Sequence, residues 1–90
     1  MTKSAQVSLT RGLARELGPR EITVNLVQPG ATDTDMNPAN SDHANELRGM
    51  TPLGRYGMPE DVAAAVAFLA SPAARQITGI SVTVAGGLNI

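Results

Sequence analysis

No cysteine occurs among the 90 residues, so disulfides cannot supply what a small core lacks, and thiol nucleophiles and thiolate-bound metals are excluded. A reducing, cytoplasmic setting fits that composition. Tryptophan is absent as well, and Tyr56 and Phe68 are the whole aromatic complement, which leaves Val, Leu, Ile and Ala to build the core. No apolar run approaches the ~20 residues of a membrane span, and the start MTKSAQ lacks the basic-then-apolar layout of a signal peptide. Neither sign of charge dominates. Seven basic residues against eight acidic ones leave a net charge of −1, which gives no pull towards nucleic acid or anionic lipid. What remains, 42% hydrophobic and 17% charged, is the composition of an ordinary globular chain. Its length allows one small domain, burying only roughly 60–65% of the surface of its unfolded form, with marginal stability.

The chain is organised around ITVNLVQPGATDTDM, Ile22 to Met36. β-branched and aliphatic residues from Ile22 to Gln28 lack a clean polar alternation, which predicts a strand covered on both faces, as in a parallel sheet. Pro29-Gly30 stops it. Ligands in open α/β sheets bind at the carboxyl ends of strands, so Ala31, Thr32, Asp33 and Thr34 fall where such a fold offers a site. Asn25, polar within the strand, reads as a structural amide tying neighbouring loops together.

Ahead of it, Ala5, Leu9, Leu13 and Leu17 recur every four residues, an amphipathic helix from Thr2 to Leu17. Gly18 reads as its left-handed cap and Pro19 as its stop. Gly12 inside the helix implies a closely approaching neighbour. Lys3 lies in the first turn, where the helix dipole disfavours a cation; spacing alone makes it a solvated amine. Asp33 to Gly57 is crowded with small polar residues, a functional lid or disorder, with a short helix from about Ala39 to Gly49 bringing Leu47 and Met50 to one patch. Pro59-Glu60-Asp61 opens another helix whose alanines allow packing around most of its circumference. Pro72 follows, with a further turn over Ala73 to Gln76, and Ile80 to Ala85 reads as a second strand ended by Gly86-Gly87. The order helix, strand, lid, helix, strand contains one βαβ unit with parallel strands. Two strands need further strands beside them and helices on the other face.

Complete chemistry is missing. His43 has neither a nucleophile elbow nor a second metal ligand near it, so hydrolase and zinc readings fail. Asp33/Asp35 and Glu60/Asp61 suit a turn and a helix start, and Gly86-Gly87 has no helix behind it to make a phosphate loop.

The segments RGLARELGPREITVNLVQPGATDTDM and PLGRYGMPEDVAAAVAFLASPAARQITGISVTVAGG resemble, in order and spacing, the C-terminal part of a short-chain dehydrogenase/reductase of the 3-oxoacyl-acyl-carrier-protein reductase-like type. The resemblance covers essentially the whole chain. It implies an α/β fold, the C-terminal part of a Rossmann-type doubly wound parallel sheet, with residues 1–90 a portion of one domain and 33–57 its substrate lid. Thr2-Lys3-Ser4-Ala5 looks like the second half of the family's Tyr-x-x-x-Lys helix start, which makes Lys3 the catalytic lysine. In the family it holds the nicotinamide ribose and lowers the tyrosine's pKa. Pro29 and Gly30 match the family's turn, with Ala31, Thr32 and Thr34 holding the nicotinamide carboxamide.

The departures carry expectations too. The partner tyrosine would stand two positions ahead of Met1, Tyr56 cannot replace it, and the active-site serine and glycine-rich loop have no counterpart in the sequence. Ala85 replaces the Asp usual before the final Gly-Gly. The resemblance therefore implies NAD or NADP as cofactor of a complete enzyme, a small carbonyl or alcohol substrate, a homo-oligomer, and no metal. The chain alone is expected neither to bind nicotinamide nor to react. A non-enzymatic assembly remnant of the fold is the alternative.

Overall fold

The Thr2 hydroxyl accepts the Ala5 N–H at 3.1 Å and so caps the first helix, α1, over Lys3–Leu17, in a computed structural model that describes residues 1–30, 32–36 and 38–88. Thr10 and Ala14 are buried on its inner face. Leu9 and Leu13 stay exposed, because no layer faces that stripe among the described residues. Space around Gly12 is likewise open, so the close neighbour expected there is not supplied by the described residues.

Gly18 does not form the left-handed cap. Its φ of −55° is right-handed, and Pro19, whose φ already suits a helical turn, carries the chain through one more 3₁₀ turn, Gly18–Arg20. The reversal falls instead on Glu21, at φ 60°, whose N–H donates to the Gly18 carbonyl at 2.8 Å.

Two parallel strands follow, β1 over Leu26–Pro29 and β2 over Ser81–Val84, with Leu26 opposite Ser81 and Pro29 opposite Val84. Both are shorter than the sequence predicts. Regular ladder pairing stops at Leu26, because the facing chain turns at Gly79, where φ is 76°, although the Gly79 N–H still donates to the Val24 carbonyl at 2.8 Å. Side chains substitute there: Thr78 Oγ1 accepts the Val24 N–H at 3.0 Å, and the Asn25 amide donates to the Ile77 carbonyl and accepts the Ile80 N–H, both at 3.2 Å. Asn25 is therefore the structural tie expected of it. Asn25→Ala leaves both backbone groups without that partner and should cost about 2 kcal/mol, read as a lower urea midpoint at unchanged slope.

Helix α2 spans Asp42–Met50, starting later than the sequence suggests because Ser41 is its cap, accepting the Ala44 N–H at 3.1 Å. Ala44, Leu47 and Thr51 share its inner face; Met50, 67% exposed, does not join Leu47 there. Helix α3 spans Pro59–Leu69, opened by a bond from the Met58 N–H to Asp61 Oδ2 at 2.9 Å. The turn after it is 3₁₀, Pro72–Ala74. No residue of α3 is buried, so the wide cover its alanines suggest is not supplied by the described residues.

The core departs from expectation for the same reason. Among the described residues the buried ones are Thr10, Ala14, Ala44, Thr51, Tyr56 and Ala74, with no Val, Leu or Ile. The accessible surface is 6410 Å², against about 5,000 Å² for a compact monomer of this mass. The radius of gyration, 15.0 Å, likewise exceeds the roughly 12 Å of a compact chain this long. The described fold has the element order of the predicted fragment and the surplus surface of one.

Candidate functional site

At the carboxyl end of β1 the chain must leave the sheet beside Ala85. A Cβ on Gly30 would lie 2.4 Å from Ala85 Cβ and 2.7 Å from Ala85 Cα, so only glycine lets the two strand ends meet. The Gly30 N–H donates to the Val84 carbonyl at 2.9 Å, fixing where the next residues begin. Thr32 then folds its hydroxyl back onto the Gly30 carbonyl at 3.0 Å. Thr32 also forms an isolated parallel bridge with Gly57, while the Asp33 N–H donates to the Gly57 carbonyl at 2.7 Å.

These bonds leave an open cleft of about 440 Å³ lined by Pro29, Gly30, Thr32, Thr34, Pro59 and Val62. Its volume is within the roughly 300–1,000 Å³ of small-molecule sites, and its mix of apolar walls and a few hydroxyls is typical of them. Four of the residues singled out from sequence therefore share one cleft. Ala31 lies outside the described residues. Lys3 is exposed in the first turn of α1 and does not line the cleft. In the sequence Pro59 signals only the opening of a helix, and Val62 is one apolar position within it. No local signal marks them as a wall, because the Thr32–Gly57 bridge brings them there.

A second cavity, about 310 Å³, shares Thr32 and reaches Leu53, Tyr56 and Gly86. Gly86, at φ 62°, seats the 33–57 segment: its carbonyl accepts the Leu53 N–H at 3.0 Å, and a Cβ there would meet Thr51 Cγ2 at 2.9 Å. His43 is exposed. Among the described residues no three His, Cys, Asp or Glu gather as a metal site, and no helix is long and apolar enough to cross a membrane.

A βαβ unit with a cleft at the carboxyl end of its strands is the arrangement of dinucleotide-binding α/β proteins. Comparison with known proteins specifies the family. Residues 1–89 match the family model described as enoyl-(acyl carrier protein) reductase. The chain is 49% identical over 85 residues to the cyclic-di-GMP-binding biofilm dispersal mediator protein of Escherichia coli, covering 94% of this chain and 36% of that protein. It is 48% identical over 87 residues to the 3-oxoacyl-acyl-carrier-protein reductase FabG of Pseudomonas aeruginosa, covering 96% and 35%. A short-chain dehydrogenase of Burkholderia cenocepacia, solved in complex with NADP, superposes with a TM-score of 0.91 at 52% identity, over 98% of this chain and 36% of that one. The chain belongs to the short-chain dehydrogenase/reductase family and spans about a third of the length of these relatives.

Proposed function

We propose that residues 1–90 are the C-terminal portion of an NAD(P)-dependent oxidoreductase domain whose remaining walls come from further polypeptide, and that hydride passes there between nicotinamide and a small carbonyl or alcohol substrate. The observation carrying this reading is the cleft itself: Pro29, Gly30, Thr32 and Thr34 converge at the strand end. The close approach at Gly30 removes any side chain from its floor. Nicotinamide fits such a place, an apolar slot for the ring with hydroxyl and backbone groups for the carboxamide. When bound, the cofactor supplies or accepts the hydride.

The chain's own residues have defined tasks in this reading. Pro29, Gly30, Ala31, Thr32 and Thr34 orient the ring and exclude water from one face. Lys3, at the start of α1, holds the ribose and, through its charge, favours the ionised form of a tyrosine supplied one helical turn earlier. Residues 33–57 cover the substrate. The NADP-bound state of the Burkholderia relative supports a nicotinamide cofactor here. Surplus surface and exposed Leu9, Leu13, Val66 and Phe68 support a homo-oligomer, and they equally favour a second reading, a non-enzymatic assembly module.

The test uses the product of the longest open reading frame that contains Met1 to Ile90. If the frame supplies a Tyr two positions before Met1 and a glycine-rich loop, the product should bind NADH or NADPH and oxidise it with a panel of carbonyl compounds, followed by nicotinamide absorbance. Failure of such a product to bind either nucleotide would contradict the proposal. The purified 90-residue chain should bind neither; tight binding by it would contradict the division of the pocket between the two portions.

A further inference from the structure

The segment from Asp33 to Gly57 has the composition of a floppy loop, yet three of the buried residues, Ala44, Thr51 and Tyr56, lie in it. A closed circuit of contacts explains this. Asp33 Oδ1 accepts the Ala39 N–H at 2.8 Å; the Ala39 carbonyl accepts from the Arg48 Nη2. Arg48 Nη1 donates to Asn45 Oδ1 at 2.7 Å, and the Arg48 guanidinium lies over the Tyr56 ring, 5.5 Å from its centroid, within the range of a cation–π contact. Gly57, next to Tyr56, returns the circuit to the Asp33 N–H.

Among the described residues Arg48 is thus the side chain that joins the approach to α2, the helix itself and the exit from it. Its planar fork satisfies separate acceptors while its face covers a ring, which an ammonium cannot do. The geometry assigns Arg48 the role of an internal staple that makes residues 38–57 a preformed rigid cover, held as one body between the Thr32–Gly57 bridge and the Leu53–Gly86 bond rather than ordering around substrate. Its consequence for specificity rests on the oxidoreductase reading; the staple does not. Arg48 is a positioning residue: it sets the shape of the cover through Tyr56 and Ala39.

Amide hydrogen exchange on the frame product tests the staple without any nucleotide. Arg48→Met should raise exchange at Ala44 to Met50 at least tenfold, and Arg48→Lys should raise it too, while Val62 to Leu69 in α3 stay within twofold of the parent. Tyr56→Phe should leave α2 unchanged, because the ring face is kept and the buried Tyr56 hydroxyl has no hydrogen-bond partner among the described residues to lose. Exchange in α2 within twofold of the parent for Arg48→Lys and Arg48→Met would overturn the assignment, as would an equal rise in α3, which would make the effect global. In turnover, Arg48→Lys should raise KM with kcat within twofold. Loosened α2 with KM unmoved would leave the staple standing and count against this segment as the substrate cover.

Discussion

Replacing Gly30 with alanine should separate the strand ends and cost about 3 kcal/mol, by overpacking and by loss of a ladder hydrogen bond. The clash is with the Ala85 backbone, 2.7 Å from the added Cβ, as well as with its methyl at 2.4 Å. Neither group can rotate away. Relief requires β1 and β2 to part at Pro29 and Val84, stretching the 2.9 Å bond between Gly30 and Val84. The urea midpoint of the frame product should fall sharply, and nucleotide affinity should fall with it because Thr32 and Thr34 hang from this junction. Adding Ala85→Gly removes the methyl but leaves the Cα, so the double variant should recover part of the loss. The non-additivity of that cycle identifies the contact as the cause. Recovery of neither stability nor affinity would place the effect elsewhere.

Lys3→Met in the same product should leave folding intact and lower kcat by roughly 10²- to 10⁴-fold, the range of positioned acid–base assistance. Stability should not fall, because Lys3 is exposed and its charge sits in the first turn of α1, where a cation opposes the helix dipole. Thr2, not Lys3, provides the cap. Lys3→Arg keeps a cation without the compact ammonium and should retain part of the rate. Circular dichroism and nicotinamide absorbance on the same samples separate loss of structure from loss of chemistry. Parent-like turnover from Lys3→Met would remove Lys3 from the reaction.

What the sequence displays is what local chemistry controls. Four-residue leucine spacing, Pro at the start of α3 and the β-branched runs are each decided by neighbours along the chain, and the helices and strands followed them; Asn25 is visible as a polar residue in its strand, but its partners, Ile77 and Ile80, lie far along the chain. What it conceals is set across the chain. β1 begins at Leu26 because Gly79 turns away opposite it, a fact written 50 or so residues later. Glu21 rather than Gly18 takes the positive φ, because Pro19 prolongs the turn.

The site divides the same way. The turn from Pro29 to Thr34 is legible because a strand running into Pro-Gly and hydroxyl residues is a local pattern. Its opposite wall, Pro59 and Val62, depends on the Thr32–Gly57 bridge. The Arg48–Tyr56 stack joins the end of one helix to the residue three before the next one begins, a pairing that no periodicity encodes. The exposed leucines of α1 and the unburied residues of α3 carry apolar surface that the described residues leave uncovered.

The central claim, that the β1 turn forms one wall of a nicotinamide pocket, is tested most directly by titrating NADPH into the ¹⁵N-labelled frame product and following individual amides. The account predicts that Gly30, Thr32 and Thr34 show shifts among the largest, saturating with the same affinity as nucleotide binding, with Lys3 moving alongside them. Saturable binding that leaves those amides unmoved would contradict it.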